Sequence, residues 1–234
     1  MKAFILAAGR GERMRPLTDH CPKPLLSVGN KPLIVWHLEK LSQITQINQV
    51  VINHAWLGHQ IEATLGNGSP WNKKITYSAE GQRGLETAGG IRYALEQLGT
   101  EPFLVINGDI FTDYPFENLI KYYNHSLSDK SDKKERWRAS LVVVPNPPHH
   151  PEGDFTVNGQ SYTFSGIGLY DFRLFESLPY GQPAKLGPLL KTQLAQDPTS
   201  IDFFIYTGKW YDIGTPERLT AINHVLNSSS LESK

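Results

Sequence analysis

The sequence is short of several things, and each shortage excludes something. Its 234 residues contain one cysteine, Cys21, so no internal disulfide can form and no oxidising compartment is needed. No stretch approaches the roughly 20 apolar residues of a membrane span. The opening run MKAFILAA stops at Gly9 and gives way to Arg10, Glu12, Arg13 and Arg15, too short and wrongly flanked for a secretory signal. A cytoplasmic protein with no membrane partner is expected. Net charge is missing as well: 23 Lys and Arg balance 23 Asp and Glu. That argues against nucleic acid as a partner held by the overall field, and leaves room for a local cationic pocket. Eight histidines form no His-Glu-x-x-His pattern and Cys21 has no second thiol, so no zinc site is expected. Repeats and linkers are absent. The 39% hydrophobic content is that of a globular chain rather than a disordered one.

What is present is alternation. Apolar runs at 3–8, 49–53, 102–106 and 139–144 read as buried strands, and 74–78 as an alternating one. Between them, Ile34, Leu38 and Leu41 predict a helix over 32–44; Leu57, Ile61 and Leu65 another over 54–65; Ile91, Ala94, Leu95 and Leu98 a third over 86–98. Residues 115–124 also read as helical. This order implies an α/β fold, a mostly parallel central sheet with helices on both faces. Such sheets bind ligands outside the carboxyl ends of their strands, where both Gly9–Arg15 and Asn107-Gly108-Asp109 fall. Further on, 154–171 alternates as β structure, 186–194 and 215–226 read as helices and 201–206 as a strand. The polar stretch 126–138 predicts a solvated loop and the Ser-rich 227–234 a frayed tail. One domain over 1–226 is expected, with a first part to about 125 and a second over about 139–226.

The most informative stretch is Leu6 to Thr18. Gly9 and Gly11 let the backbone turn sharply and aim N–H groups at an anion. Arg13 and Arg15 add fixed charge, and Lys23 stands on a stiff backbone between Pro22 and Pro24. Three cations beside one glycine loop read as a site for several phosphates. Met14 stands where a dinucleotide fingerprint needs its third glycine, and no Gly-Lys-Ser/Thr ending makes a P-loop.

The run LAAGRGERMRPLT followed by PKP resembles the signature of the sugar-1-phosphate nucleotidyltransferases, or nucleoside-diphosphate-sugar pyrophosphorylases. The resemblance continues through Glu80-Gly81, the segment ETAGG at 86–90, Asn107-Gly108-Asp109, Phe164-Ser165-Gly166 and WYDIGT at 210–215. Many relatives carry Gly-Thr-Arg where this chain has Gly11-Glu12-Arg13. With NHAWLG at 53–58, NPPHH at 146–150 and Gly153-Asp154-Phe155, that variant resembles the uridylyltransferases acting on N-acetylmuramate α-1-phosphate in bacterial cell-wall recycling.

The resemblance implies a Rossmann-like, GT-A-like fold and nucleotidyl transfer from UTP to N-acetylmuramate 1-phosphate, with Mg2+ as cofactor. By it, Asp109 and Asp212 would hold the metal, and Lys23 and Arg13 the triphosphate, with Lys23 the stronger catalytic candidate. Base and ribose would lie against Ala7, Ala8 and Gly9, with Glu80 and Gly81, and Gly11 and Thr87 would also belong to the nucleotide site. Asn53 either faces the base or satisfies its own strand end. A free helix N-terminus over Thr87, Gly89 and Gly90 would offer N–H groups to an anion or ribose. Asn107, Asp154, Gly166 and Lys185 belong to the sugar side by position. His149 and His150 either join them or sit in an exposed loop. The chain is short for such a family, which points to a monomer. Alternatives are a mannose-1-phosphate guanylyltransferase, a glucose-1-phosphate thymidylyltransferase, or a non-catalytic nucleotide-sugar sensor; retention of Lys23, Asp109 and Asp212 argues against the sensor.

Overall fold

The computed structural model describes residues 1–127 and 131–231. The apolar runs form β1 (Lys2–Leu6), β4 (Gln49–His54), β5 (Lys74–Ala79), β6 (Phe103–Asn107), β8 (Ala139–Val144), β10 (Gln160–Tyr170) and β11 (Ile201–Ile205), in the order β11-β8-β10-β6-β1-β4-β5. Only β10 runs antiparallel to its neighbours along this path. The short β9 (Phe155–Val157) adds to β10, while β2 (Ser27–Val28) with β3 (Lys31–Pro32), and β7 (Ile110–Thr112) with β12 (Trp210–Asp212), form two small ribbons.

Side chains alternate across the sheet as the pleat requires. Ala3 and Ile5 point into one core, where α1 (Leu33–Ser42), α2 (Gly58–Leu65) and α4 (Glu117–Tyr122) place Leu38, Leu41, Ile61 and Leu119. Phe4 points into the other, against Ala88, Ile91 and Leu98 of α3 (Glu86–Leu98) and Leu190 of α6 (Leu186–Gln196). Both faces are therefore covered, as the sequence predicts. After β5 the chain crosses back over β1 to lay β6 on its far side. This reversal makes a crevice at the carboxyl ends of β1 and β6, the position where such sheets bind ligands. Register brings Leu6 level with Asn53 on one side and Asn107 on the other.

Beyond shifts of one or two residues at several element ends, three predicted segments differ. Strand β4 holds the chain extended through His54, whose carbonyl accepts from Glu80 N at 2.9 Å, so α2 begins only at Gly58. Within the expected loop 126–138, a π-helical turn covers Tyr123–Leu127 and α5 covers Ser131–Arg136, while 128–130 lie outside the described residues. Trp137 anchors this segment: it is buried and donates from Nε1 to Ser140 Oγ at 3.1 Å. Helix α7 (Pro216–Leu231) runs on through 227–231, and 232–234 of the expected tail lie outside the described residues. Its Ile222 joins a third apolar cluster with Met14, Leu33 and Phe111, which braces the loop after β1.

His37 on α1 is enclosed in the core close to Lys40, which donates to the carbonyls of Thr112 and Tyr114. Burial first, and then the Lys40 charge, hold the His37 pKa down at about 4. Between about 4 and 6.5 the unfolded chain then binds more protons than the folded one, so stability falls as the pH drops through that window. Urea unfolding at pH 7 and pH 5 checks this. The wild type is expected to lose about 2 kcal/mol more than His37→Leu across that step.

Candidate active site

A cavity of about 780 Å³ opens at the crevice. Its floor is the end of β1 and the loop after it, Leu6 to Arg13, where Gly11 takes the left-handed conformation (φ 68°) before a 3-10 turn over Glu12–Met14. Thr18 Oγ1 donates to the Gly11 carbonyl at 2.8 Å and fastens the loop. Lys23 follows Pro22 on a short 3-10 turn and is buried, its side chain 10% exposed. Its Nζ donates to Asp109 Oδ2 at 2.6 Å. Asp109 sits just past β6 and also lines the cavity. The fold thus brings together two groups 86 positions apart.

Asn53 works as a strut. Its Oδ1 accepts from Ala7 N at 2.7 Å and its Nδ2 donates to Glu80 Oε1 at 2.6 Å. Glu80 Oε2 accepts from Leu85 N at 2.6 Å. Burial raises the Glu80 pKa, opposed by these bonds. Gly90 makes the arrangement possible, because a Cβ there would stand 2.4 Å from Glu80 Oε1. The Asn53 side chain thus bonds to Ala7 and Glu80 rather than to its own strand end, and the residue also borders the cavity.

Two other features depart from expectation. The amides of Ala88 and Gly89 donate to the Ala184 carbonyl at 2.9 and 3.1 Å, so part of the α3 N-terminus is taken by protein rather than left for a ligand. Gly81 does not line the cavity; Gln82, Arg83 and Gly84 do.

Beside the cavity lies a cleft of about 400 Å³ lined by Asp154, Phe164, Lys185 and Lys191. Glu86, Thr87 and Asn107 border both spaces and so mark their junction. Asp154 is held by Phe164 N at 2.8 Å and faces His150 Nε2 at 3.2 Å. Gly166, in the bulge of β10, packs against the Asn107 side chain and lines neither space.

Asp212 is placed differently from Asp109. The backbones are adjacent, since Ile213 N donates to the Asp109 carbonyl at 2.8 Å. The Asp212 carboxylate is nevertheless held by Arg218 and by His149 Nε2 at 3.0 Å, beside a separate cleft. Among the described residues no group of three or more His, Cys, Asp or Glu gathers as a metal site. Nor is any helix among them long and apolar enough to cross a membrane.

Residues 2–151 match the nucleotidyl transferase family model. The chain belongs to the nucleotidyl transferase family. Over 230 residues, 94% of this chain and 95% of the relative, it is 48% identical to an N-acetylmuramate alpha-1-phosphate uridylyltransferase from Neisseria meningitidis. It is 34% identical over 93% of its length to a mannose-1-phosphate guanylyltransferase catalytic subunit beta from Xenopus tropicalis, but spans only 62% of that longer protein. A Bacillus anthracis structure assigned as a glucose-1-phosphate thymidylyltransferase, in complex with a sucrose, shares the fold with a TM-score of 0.80 at 22% identity, covering 96% of this chain and 94% of that one. This is the family the sequence motifs point to.

Sequence reasoning passed over Arg10, Trp56, Gln82, Arg83 and Lys191, all of which line one of the two spaces. Arg10 carried a usable signal, since it stands between the two loop glycines.

In a family enzyme the Lys23–Asp109 pair, facing the cavity, is expected to serve chemistry more than stability. Lys23→Met and Asp109→Asn should each lower turnover by about 100-fold or more. The melting temperature should stay within about 5 °C of wild type. Steady-state kinetics alongside thermal unfolding checks both, and near-normal turnover in either variant removes that residue from the site.

Proposed function

We propose that this protein joins UTP to N-acetylmuramate α-1-phosphate, giving UDP-N-acetylmuramate and pyrophosphate, as a step in bacterial cell-wall recycling. The near full-length likeness to the Neisseria uridylyltransferase carries this reading. The two adjoining spaces support it, because a nucleoside triphosphate and a sugar phosphate must meet at one phosphorus.

In this reading an oxygen of the sugar 1-phosphate attacks the α-phosphorus of UTP. A new P–O bond forms, the bond to the β-phosphate oxygen breaks, and pyrophosphate leaves with that electron pair. The attacking phosphate is already ionised near neutral pH, so no protein base is required. The chain's task is to align two anions and offset their repulsion. The Gly9–Gly11 loop offers backbone N–H groups to the phosphates. Lys23 and Arg13 supply positive charge, and Asn107 and Thr87 stand where the two substrates would join. Lys185 and Asp154 border the space left for the sugar.

The donor set fits a hard divalent cation such as Mg2+, held by one or two carboxylates plus substrate phosphates. Asp109 offers an oxygen, Oδ1, that no donor among the described residues occupies, whereas Asp212 would join only on release from Arg218 and His149. When bound, the metal would neutralise phosphate charge.

Pyrophosphate release measured over UTP, GTP, CTP, ATP and TTP, each with several sugar 1-phosphates and magnesium, tests the proposal. UTP with N-acetylmuramate α-1-phosphate should show a kcat/KM about tenfold or more above any pair with glucose or mannose 1-phosphate. A higher value for GTP with mannose 1-phosphate would contradict the substrate assignment.

A further inference from the structure

Arg10 occupies the turn between Gly9 and Gly11, and its guanidinium carbon stands 3.6 Å from the centre of the Trp56 ring. Trp56 follows β4 and is itself pinned, donating from Nε1 to the Thr18 carbonyl at 3.1 Å. Thr18 in turn binds the Gly11 carbonyl. The indole therefore ties two ends of one loop together and gives the arginine a flat surface to rest on. Guanidinium groups favour such stacking and keep their edge donors free for other partners.

Among the arginines that line the cavity, Arg10, Arg13 and Arg83, the structure gives Arg10 an aromatic face to rest on, and several other cations nearby are already paired. Arg15 pairs with Asp19 at 3.2 Å, Lys23 with Asp109, and Arg218 with Asp212. Arg10 has no carboxylate partner among the described residues, yet it lines the cavity and is half-buried. A cation held in place without a counter-ion is suited to an anion that arrives with the ligand.

Its position tells which anion. The sugar-side cleft meets the cavity at Glu86, Thr87 and Asn107, so the α-phosphorus must lie near that junction. Neither Arg10 nor Trp56 lines the sugar-side cleft; with Ala55 they form the wall on the β4 side. An uncharged pyrimidine would leave the guanidinium charge unanswered, whereas the outer phosphates would not.

We propose that Arg10, held on the face of Trp56, binds the β- and γ-phosphates of the nucleotide and then the departing pyrophosphate, with Trp56 as its positioning residue. This rests on the nucleotidyl-transfer reading above but not on the identity of the base or sugar.

Calorimetric titration of the whole chain with UTP, UMP and inorganic pyrophosphate, magnesium present, tests it. Arg10→Ala should weaken UTP and pyrophosphate binding about tenfold or more, the worth of a charge-assisted contact, and change UMP binding less than about twofold. Trp56→Leu should weaken the same two ligands, and Trp56→Phe, which keeps an aromatic face, should restore most of the loss. In the Arg10→Ala background Trp56→Leu should add nothing, a coupling that a merely structural tryptophan would not show. Equal losses for UMP and UTP would make Arg10 a base contact and overturn the proposal. Unchanged pyrophosphate binding in Arg10→Ala, or additive effects of the two substitutions, would overturn it too. Pyrophosphate carries no base, so its result stands even if the substrate panel selects another nucleotide. Wild-type protein that binds neither UTP nor pyrophosphate would defeat both readings.

Discussion

The contact between Lys23 and Asp109 organises this molecule. A lysine amine with a 10% exposed side chain, 2.6 Å from a carboxylate oxygen, puts one fixed charge of each sign on the same cavity wall. Neither charge needs to leave the wall when substrates bind. In the proposed reaction the amine would turn part of its donor capacity to a phosphate, and the carboxylate would offer its other oxygen to a cation. Prolines on both sides of Lys23 limit the backbone from which it reaches. The glycine loop closes beneath it, with Gly11 so close that a Cβ there would stand 3.3 Å from Lys23 Cβ.

Sheet topology makes that contact possible. Because β6 is laid beside β1 rather than beyond β5, the loop after β1 and the turn after β6 share one rim. The insertion of antiparallel β10 between β6 and β8 then widens the sheet and brings Phe164 to the same edge, where it lines the smaller cleft with Asp154 and Lys185. Trp210 secures the bulge there, donating to the Ser165 carbonyl at 2.8 Å. One rim therefore carries both spaces, and Asn107 at the end of β6 lines each of them.

Much of this was legible in the sequence, for physical reasons that differ by element. The buried strands 139–144 and 103–107 and the α3 stripe announce themselves by period, because each has one partner environment along its length. Gly9, Arg13 and Lys23 were legible because conformational freedom and charge collect in a few consecutive positions. What stayed hidden depends on contacts between distant segments. Nothing near Asp212 in the sequence reveals that His149, far back in the chain, joins Arg218 on its carboxylate. Nothing near Ala88 reveals that the Ala184 carbonyl would take its amide and close part of a helix terminus. The Arg10–Trp56 stack joins residues 46 positions apart, with no periodicity to link them. Trp137, one residue beyond α5, turned an expected loop into ordered helix by burying its ring.

A crystal structure with magnesium and a UTP analogue that cannot be cleaved between its α- and β-phosphates would test the central claim most directly. The triphosphate is expected in the 780 Å³ cavity, with the Lys23 amine on a phosphate oxygen and Asp109 facing the metal. A triphosphate seated instead in the cleft of Arg218 and His149, with the Lys23–Asp109 pair untouched by ligand or metal, would contradict it.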